Sequence, residues 1–163
     1  MSLGQRLIGF GVFVLLCFSA AALGAALGGP GGSNWYERLH KPSWTPPSWA
    51  FGPAWTVLYL MMATAAWLVW RRAGAAGAPV PLLLFGLQLV FNAAWTPLFF
   101  GLKMPGAAFA EIVALWWLIL ATLIAFWKTV PAAGILMMPY LAWVSFAAAL
   151  NFAIWRMNAG ASG

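Results

Sequence analysis

Runs of about twenty residues without a single charge fill this chain, and they leave few folds open to it. A helix needs roughly 20 apolar residues to cross a hydrocarbon core of about 30 Å. Residues 7–28, 50–70, 80–102 and 129–155 each supply such a run, and 104–127 is a fifth, interrupted only by Glu111. The five consume nearly all of the 163 residues, so no separate soluble domain is left over. With 64% hydrophobic and 6% charged residues, the composition lies far outside the soluble range. No run alternates apolar and polar residues, which disfavours a transmembrane β-barrel. Uniformly apolar spans suit helices that satisfy their own backbone hydrogen bonds in lipid. The expected fold is an all-α membrane protein: a five-transmembrane-helix bundle over residues 1–157, with 158–163 as a flexible C-terminal tail.

The first run, preceded by Arg6, shares features with a signal peptide. Its 22 charge-free residues exceed the usual apolar core of such a peptide, and Gly24 and Gly28 form a GxxxG pair suited to close helix packing. A retained helix is therefore expected. The net charge of +6 would raise nucleic acid binding in a soluble protein. Here the bases sit at span ends (Arg6, Arg38, Lys41, Arg71, Arg72, Lys103, Lys128, Arg156), where they read as anchors to lipid headgroups, so no nucleic acid partner is expected. Split by side of the bilayer they tie at four against four, and the positive-inside rule gives no orientation. The single Cys17 falls inside the first span and excludes an intramolecular disulfide or a cysteine metal cluster.

The long first loop, about 29–49, concentrates what polarity the chain has: Glu37, Arg38, His40 and Lys41 among Trp35, Tyr36, Trp44 and Trp49. Its glycine-rich start breaks the first helix. Ser33 or Asn34 is placed to cap a short helix over 35–40, which Lys41-Pro42 would end. Thr45-Pro46-Pro47-Ser48 favours an extended approach to the second span. The other connections, at 71–81, 101–106 and 128–131, are short and imply antiparallel neighbours. Pro53, Pro97 and Pro139 lie within spans, where each removes a backbone donor and can open space between helices.

Twelve tryptophans are many for this length. Trp70, Trp127 and Trp155 each precede a base at a span end and read as interfacial anchors, whereas Trp116 and Trp117 read as packing or lipid-facing. Others share helix faces with polar groups. Trp55 and Tyr59 lie one turn apart, as do Asn92, Trp95, Thr96 and Phe99 on the third span and Trp143, Ala147 and Asn151 on the fifth. Buried amides in lipid need partners, so Asn92 and Asn151 should face the interior. Such faces suit a flat aromatic pocket, and equally suit ordinary packing with interhelical hydrogen bonds. Glu111 lies roughly 12 Å below the span end, at 1.5 Å per residue; snorkelling or a hydrogen bond to a neighbouring helix is the plainer account of it. His40 is of a type that ligates haem iron, but nothing pairs with it in the sequence. There is no nucleophile–base set, phosphate loop or carboxylate pair, and no metal site is expected.

The motif Trp35-Tyr36-x-x-Leu39-x-Lys41-Pro42-Ser43-Trp44-Thr45-Pro46-Pro47, followed by Trp55-x-x-Leu58-Tyr59, resembles the signature of the translocator protein family. That family comprises the bacterial tryptophan-rich sensory proteins and the mitochondrial peripheral benzodiazepine receptor. The resemblance continues through Gln88-x-x-x-Asn92-x-x-Trp95-x-Pro97-x-Phe99-Phe100-Gly101 and Pro139-Tyr140-Leu141-Ala142-Trp143 to Leu150-Asn151-Phe152-x-x-Trp155-Arg156. It implies a five-helix bundle, commonly a homodimer, that binds porphyrins such as protoporphyrin IX or a haem-like tetrapyrrole, and isoquinoline or benzodiazepine-type drugs. No cofactor is required. The pocket implied lies beneath the first loop and is lined by Trp35, Tyr36, Trp44, Trp55, Tyr59, Asn92, Trp95, Trp143 and Ala147.

Some bacterial members break down protoporphyrin in light, and the resemblance then makes Trp55 and Trp143 the catalytic candidates, as electron donors. Phenylalanine at 152 stands where the sterol motif of animal members has tyrosine, which puts sterol recognition in doubt. The function expected is a tetrapyrrole receptor or sensor in a bacterial membrane. The alternatives are a tetrapyrrole transporter, for which no inverted repeat is visible, and a light-dependent porphyrin-degrading enzyme.

Overall fold

The computed structural model describes residues 1–29 and 32–160, the side chains at 32 and 33 excepted. The elements are α1 (Leu3–Gly28), α2 (Gly32–Glu37), α3 (Ser48–Gly77), α4 (Pro79–Thr96), a π-helical turn over Pro97–Gly101 that prolongs α4, α5 (Pro105–Thr129) and α6 (Pro131–Asn158). Five of these, α4 counted with its π turn, are long and apolar enough to cross a membrane, as the charge-free runs predict. The protein is a five-helix membrane bundle with a short helix in its first loop.

Boundaries shift where local chemistry differs from the pattern of charge. The helix of the second span does not stop at Trp70 but carries Arg71 and Arg72 with it, and its regularity fails only at Gly74, whose φ of 72° and ψ of 171° suit glycine. The loop helix occupies Gly32–Glu37 rather than 35–40. It closes in two tight turns, Arg38 N–H to Trp35 O and Leu39 N–H to Tyr36 O, before Lys41-Pro42 is reached. Asn34 is thus inside the helix and not its cap, and the Ser33 side chain lies outside the described residues. Pro47 is extended (φ −63°, ψ 146°) and leads directly into α3, as the proline run predicts. Asn158, expected to open the tail, is helical; residues 161–163 lie outside the described part.

The spans close into a ring in the order α1, α3, α6, α5, α4 and back to α1. Small residues bring them together. Gly24 and Gly28 of α1 meet α4: a Cβ at Gly24 would stand 3.0 Å from Ala93 O, and one at Gly28 would stand 2.9 Å from Thr96 Cγ2. The GxxxG pair is therefore used inside the bundle. Gly86 of α4, by contrast, has nothing within 4 Å of its would-be Cβ. The three indoles expected as interfacial anchors also interlock helices. Trp70 fills the notch at Gly9 and Trp155 that at Gly106, while Trp127 presses on Gly134. Trp67 adds a tie from α3 to α1, donating from Nε1 to Arg6 O at 2.9 Å, with the Arg71 guanidinium 4.5 Å above its ring. Trp116 donates to Ser145 Oγ at 2.7 Å, and Trp117 is exposed.

The two ends of the ring differ. At the end remote from the first loop, Met62, Ala66 and Val69 of α3, Ile119 and Phe126 of α5 and Ala133 and Met137 of α6 are fully buried in one cluster, with Phe85 stacked on Phe126 at 5.9 Å. At the loop end the ring is hollow. Pro97 begins the π turn there, whose wider bonding runs from Leu102 N–H to Pro97 O at 2.8 Å. Substitution of Gly134 tests the packed end. A Cβ there would come within 2.7 Å of Trp127 Cβ and 2.9 Å of its Cα, so Gly134→Ala should cost about 1–3 kcal/mol as an overpacked site. A lowered unfolding midpoint in detergent micelles is the expected reading.

Candidate functional site

The hollow end encloses a cavity of about 460 Å³ reached by all five spans and by α2. Ala21 and Ala25 of α1 line it with small side chains. Phe51, Trp55 and Tyr59 come from one face of α3, and Asn92, Trp95 and Thr96 from one face of α4. Phe99 and Phe100 come from the π turn, Ile112 and Leu115 from α5, and Trp143, Val144, Ala147, Leu150, Asn151 and Ile154 from α6. Tyr36 and Glu37 of α2 meet Ser48 at the start of α3, and the exposure of Glu37 and Ser48 marks the opening.

Of the residues that the sequence proposed as pocket lining, Tyr36, Trp55, Tyr59, Asn92, Trp95, Trp143 and Ala147 stand on this wall. Trp35 and Trp44 do not. Trp35 packs edge-on against Phe99 at 5.6 Å, behind the wall, and Trp44 packs against Phe146 at 5.6 Å while remaining 48% exposed. They brace the loop against the π turn and α6. The lining residues not foreseen are mostly apolar (Ala21, Ala25, Phe51, Phe100, Ile112, Leu115, Leu150, Ile154), and periodicity cannot separate such residues from ordinary packing. Glu37 and Ser48 are different: both were visible as polar residues of the loop, yet nothing in the sequence pairs them.

Two aromatic groups dominate the wall. On the α3–α6 side, Trp55 lies 5.5 Å from Tyr59 at a 31° tilt and meets Trp143 edge-on at 6.5 Å, and Phe51 meets Trp143 at 6.0 Å. On the α4 side, Trp95 stacks on Phe99 at 5.0 Å, and Phe99 meets Phe100 at 4.9 Å. The π turn supplies Phe99 and Phe100 to the second group, directly after Trp95 and Thr96 of α4.

Hydrogen bonds hold two of these rings, Tyr59 and Trp95. Tyr59 OH donates to Asn92 Oδ1, Asn92 Nδ2 donates to Tyr140 OH at 2.8 Å, and Tyr140 OH donates to Gln88 Oε1 at 2.8 Å. All four residues are buried, so the chain joins α3, α4 and α6 through the middle of the bundle. A second set holds Trp95: its Nε1 donates to Asn151 Oδ1 at 2.9 Å, and Asn151 Nδ2 donates to Pro105 O at 2.8 Å. Both asparagines thus face inward, as their setting in lipid requires. The Trp143 indole N–H and both carboxylate oxygens of Glu111 are buried without a hydrogen-bond partner among the described residues. Glu111 therefore neither snorkels nor bonds to a neighbouring helix, contrary to the expectation from sequence.

The loop over the opening is held at several points. Backbone N–H and C=O of His40 bond reciprocally to the Asn158 side chain at 3.0 and 2.8 Å. His40 takes no part in the cavity wall. Lys41 Nζ donates to Tyr36 O at 2.8 Å and to Glu37 O and Leu39 O at 3.3 Å, stopping the C-terminus of α2. Burial raises the Tyr36 phenol above its ordinary pKa, and the neighbouring Glu37 charge adds to the shift. Tyr140→Phe tests the central chain: it takes a partner from Gln88 and from Asn92 at once, so about 1–3 kcal/mol of stability should be lost, read as a lower unfolding midpoint in micelles.

Comparison with known proteins agrees with this architecture. The family model described as TspO/MBR family matches residues 13–156. The chain is 42% identical over 134 residues to the translocator protein of Sus scrofa, covering 81% of this chain and 79% of that one. It is 39% identical over 155 residues to protein CrtK of Rhodobacter capsulatus, covering 93% of each. To the tryptophan-rich protein TspO of Chlorobaculum tepidum it is 37% identical over 160 residues, covering 96% of this chain and 99% of the other. A match over most of the chain, on a five-span bundle, leaves one assignment: this is a multi-pass integral membrane protein that belongs to the TspO/MBR family.

Proposed function

We propose that the protein is a membrane receptor or sensor for flat conjugated ligands, porphyrins of the protoporphyrin IX type foremost, with benzodiazepine or isoquinoline-type molecules as alternative occupants. One observation carries this reading: an intramembrane cavity of about 460 Å³ with Trp55, Trp95 and Trp143 on its wall. The volume falls in the range of about 300–1,000 Å³ common to ligand sites. Indole faces offer a conjugated ring offset stacking worth about 0.5–1.5 kcal/mol per contact beyond burial, on the scale of protein ring pairs. The amides of Asn92 and Asn151 are occupied by protein partners, so ring stacking, shape and the unpartnered indole N–H of Trp143 are left to select the ligand.

The name translocator protein, and the name tryptophan-rich sensory protein of a relative in Cereibacter sphaeroides, support a reading of ligand movement or reception. A bacterial cell membrane is the proposed location and a homodimer the proposed assembly. Gly86 supplies the open close-packing seam, since Gly24 and Gly28 are spent against α4.

Light-dependent porphyrin degradation is a second reading, supported by the contact of Trp55 with Trp143 at 6.5 Å on the wall, where both could donate electrons to an excited ring. Turnover beyond one equivalent per protein under illumination identifies it. Trp55→Phe combined with Trp143→Phe should weaken protoporphyrin IX binding roughly 5- to 100-fold, if two stacking contacts are diminished. Soret-band titration measures this, and an unchanged affinity together with unchanged photoproducts overturns the site.

A further inference from the structure

The packed end of the bundle carries charge that the cavity does not use. Arg6 of α1, Arg71 and Arg72 of α3 and Lys128 of α5 stand there, all exposed. Neither acid of the chain accompanies them: Glu37 is at the opening of the cavity, and Glu111 directly precedes the wall residue Ile112. The positive charges at this end are therefore left without a protein carboxylate.

Two of them are organised by one indole. Trp67 donates from Nε1 to Arg6 O at 2.9 Å, and the Arg71 guanidinium lies 4.5 Å from the centroid of the same ring. Phe10, one turn on from Arg6, meets that indole edge-on at 5.5 Å. The ring is thus held from α1 and carries the arginine of α3. Contact with a ring face restricts Arg71 without neutralising it, because the ring has no net charge. The seam between α1 and α3 ends in two cationic residues joined through Trp67, and Leu7, which follows Arg6, is 62% exposed beside them. An ionic group above an apolar flank is the outline of a phospholipid at the end of a span. Guanidinium forks also match phosphate oxygens in pairs.

We propose that the α1–α3 seam at the packed end binds the phosphate of an anionic phospholipid, held by Arg6 and Arg71 with Trp67 as the platform that positions them. Preference over zwitterionic lipid follows from charge. The cluster has no acid to meet a choline nitrogen, whereas a headgroup of net negative charge meets cations alone. The site is remote from the cavity and independent of what the cavity binds.

The test adds phosphatidylglycerol or phosphatidylcholine with the same acyl chains to the full chain in non-ionic detergent micelles. The quantity read is the rise in unfolding midpoint as lipid is titrated. Phosphatidylglycerol should stabilise the wild type well beyond phosphatidylcholine. Its apparent affinity should fall about fivefold in Arg6→Gln and in Arg71→Gln, the scale of one basic residue near an anionic surface. Only the lipid-dependent rise is compared, so a lower starting midpoint in the Arg71 variant does not enter. Arg6→Gln keeps the carbonyl that Trp67 uses, and it carries the test if the Arg71 variant fails to fold. Lys128→Gln, at the same end but on α5, should bind as the wild type does. Equal losses in all three variants reveal a diffuse surface charge and overturn the proposal, as does equal stabilisation of the wild type by the two lipids. Inorganic phosphate that reproduces the stabilisation without lipid overturns the lipid assignment.

Discussion

Lipid tails are as apolar as leucine, so helices in a bilayer gain little by burying apolar faces against one another. What remains is close backbone approach and hydrogen bonding between helices, and the architecture follows from how each is placed. Close approach is concentrated at glycines: Gly9 under Trp70, Gly106 under Trp155, Gly134 under Trp127, and Gly24 with Gly28 against α4. Hydrogen bonding is concentrated in the chain Tyr59–Asn92–Tyr140–Gln88 and in the pair Trp95–Asn151. Glycine contacts occur at both ends, with Gly9 and Gly134 at the packed one and Gly24, Gly28 and Gly106 at the hollow one, while the pair Trp95–Asn151 lies at the hollow end.

At the hollow end the polar tips of the rings are satisfied while their faces stay open. Without partners, tyrosine hydroxyls and asparagine amides would be drawn to any polar group within reach, because an unsatisfied buried amide is costly in a medium that cannot replace its bonds. Each is instead committed to a neighbouring helix. Tyr59 and Trp95 are therefore held in place by their polar ends while their faces border empty space. The π turn from Pro97 continues this wall with Phe99 and Phe100.

The spans and the inward faces were legible in the sequence because each is a repeating pattern. Absence of charge over twenty residues set the helices, and one-turn spacing grouped Trp55 with Tyr59, Asn92 with Trp95, and Trp143 with Ala147 and Asn151. Less legible were features set by contact between distant parts. The ends of α2 and α3 followed local turns and Gly74 and not the positions of charge and proline. Trp35 and Trp44 look like any aromatic of the loop until the fold places them behind Phe99 and beside Phe146. Trp70, Trp127 and Trp155 carry the mark of interfacial anchors in sequence, and only three-dimensional packing reveals the glycines beneath them.

The paired hydrogen bonds between His40 and Asn158 join segments 118 residues apart. Asn158 is the last residue of α6, the helix that also brings Trp143, Ala147 and Asn151 to the cavity. The loop over the opening is thus tethered to the far end of the chain, and its backbone cannot lift at His40 while both bonds stay intact. In mechanical terms the final turn of the last helix is a latch, and whatever strains that terminus pulls on the entrance as well.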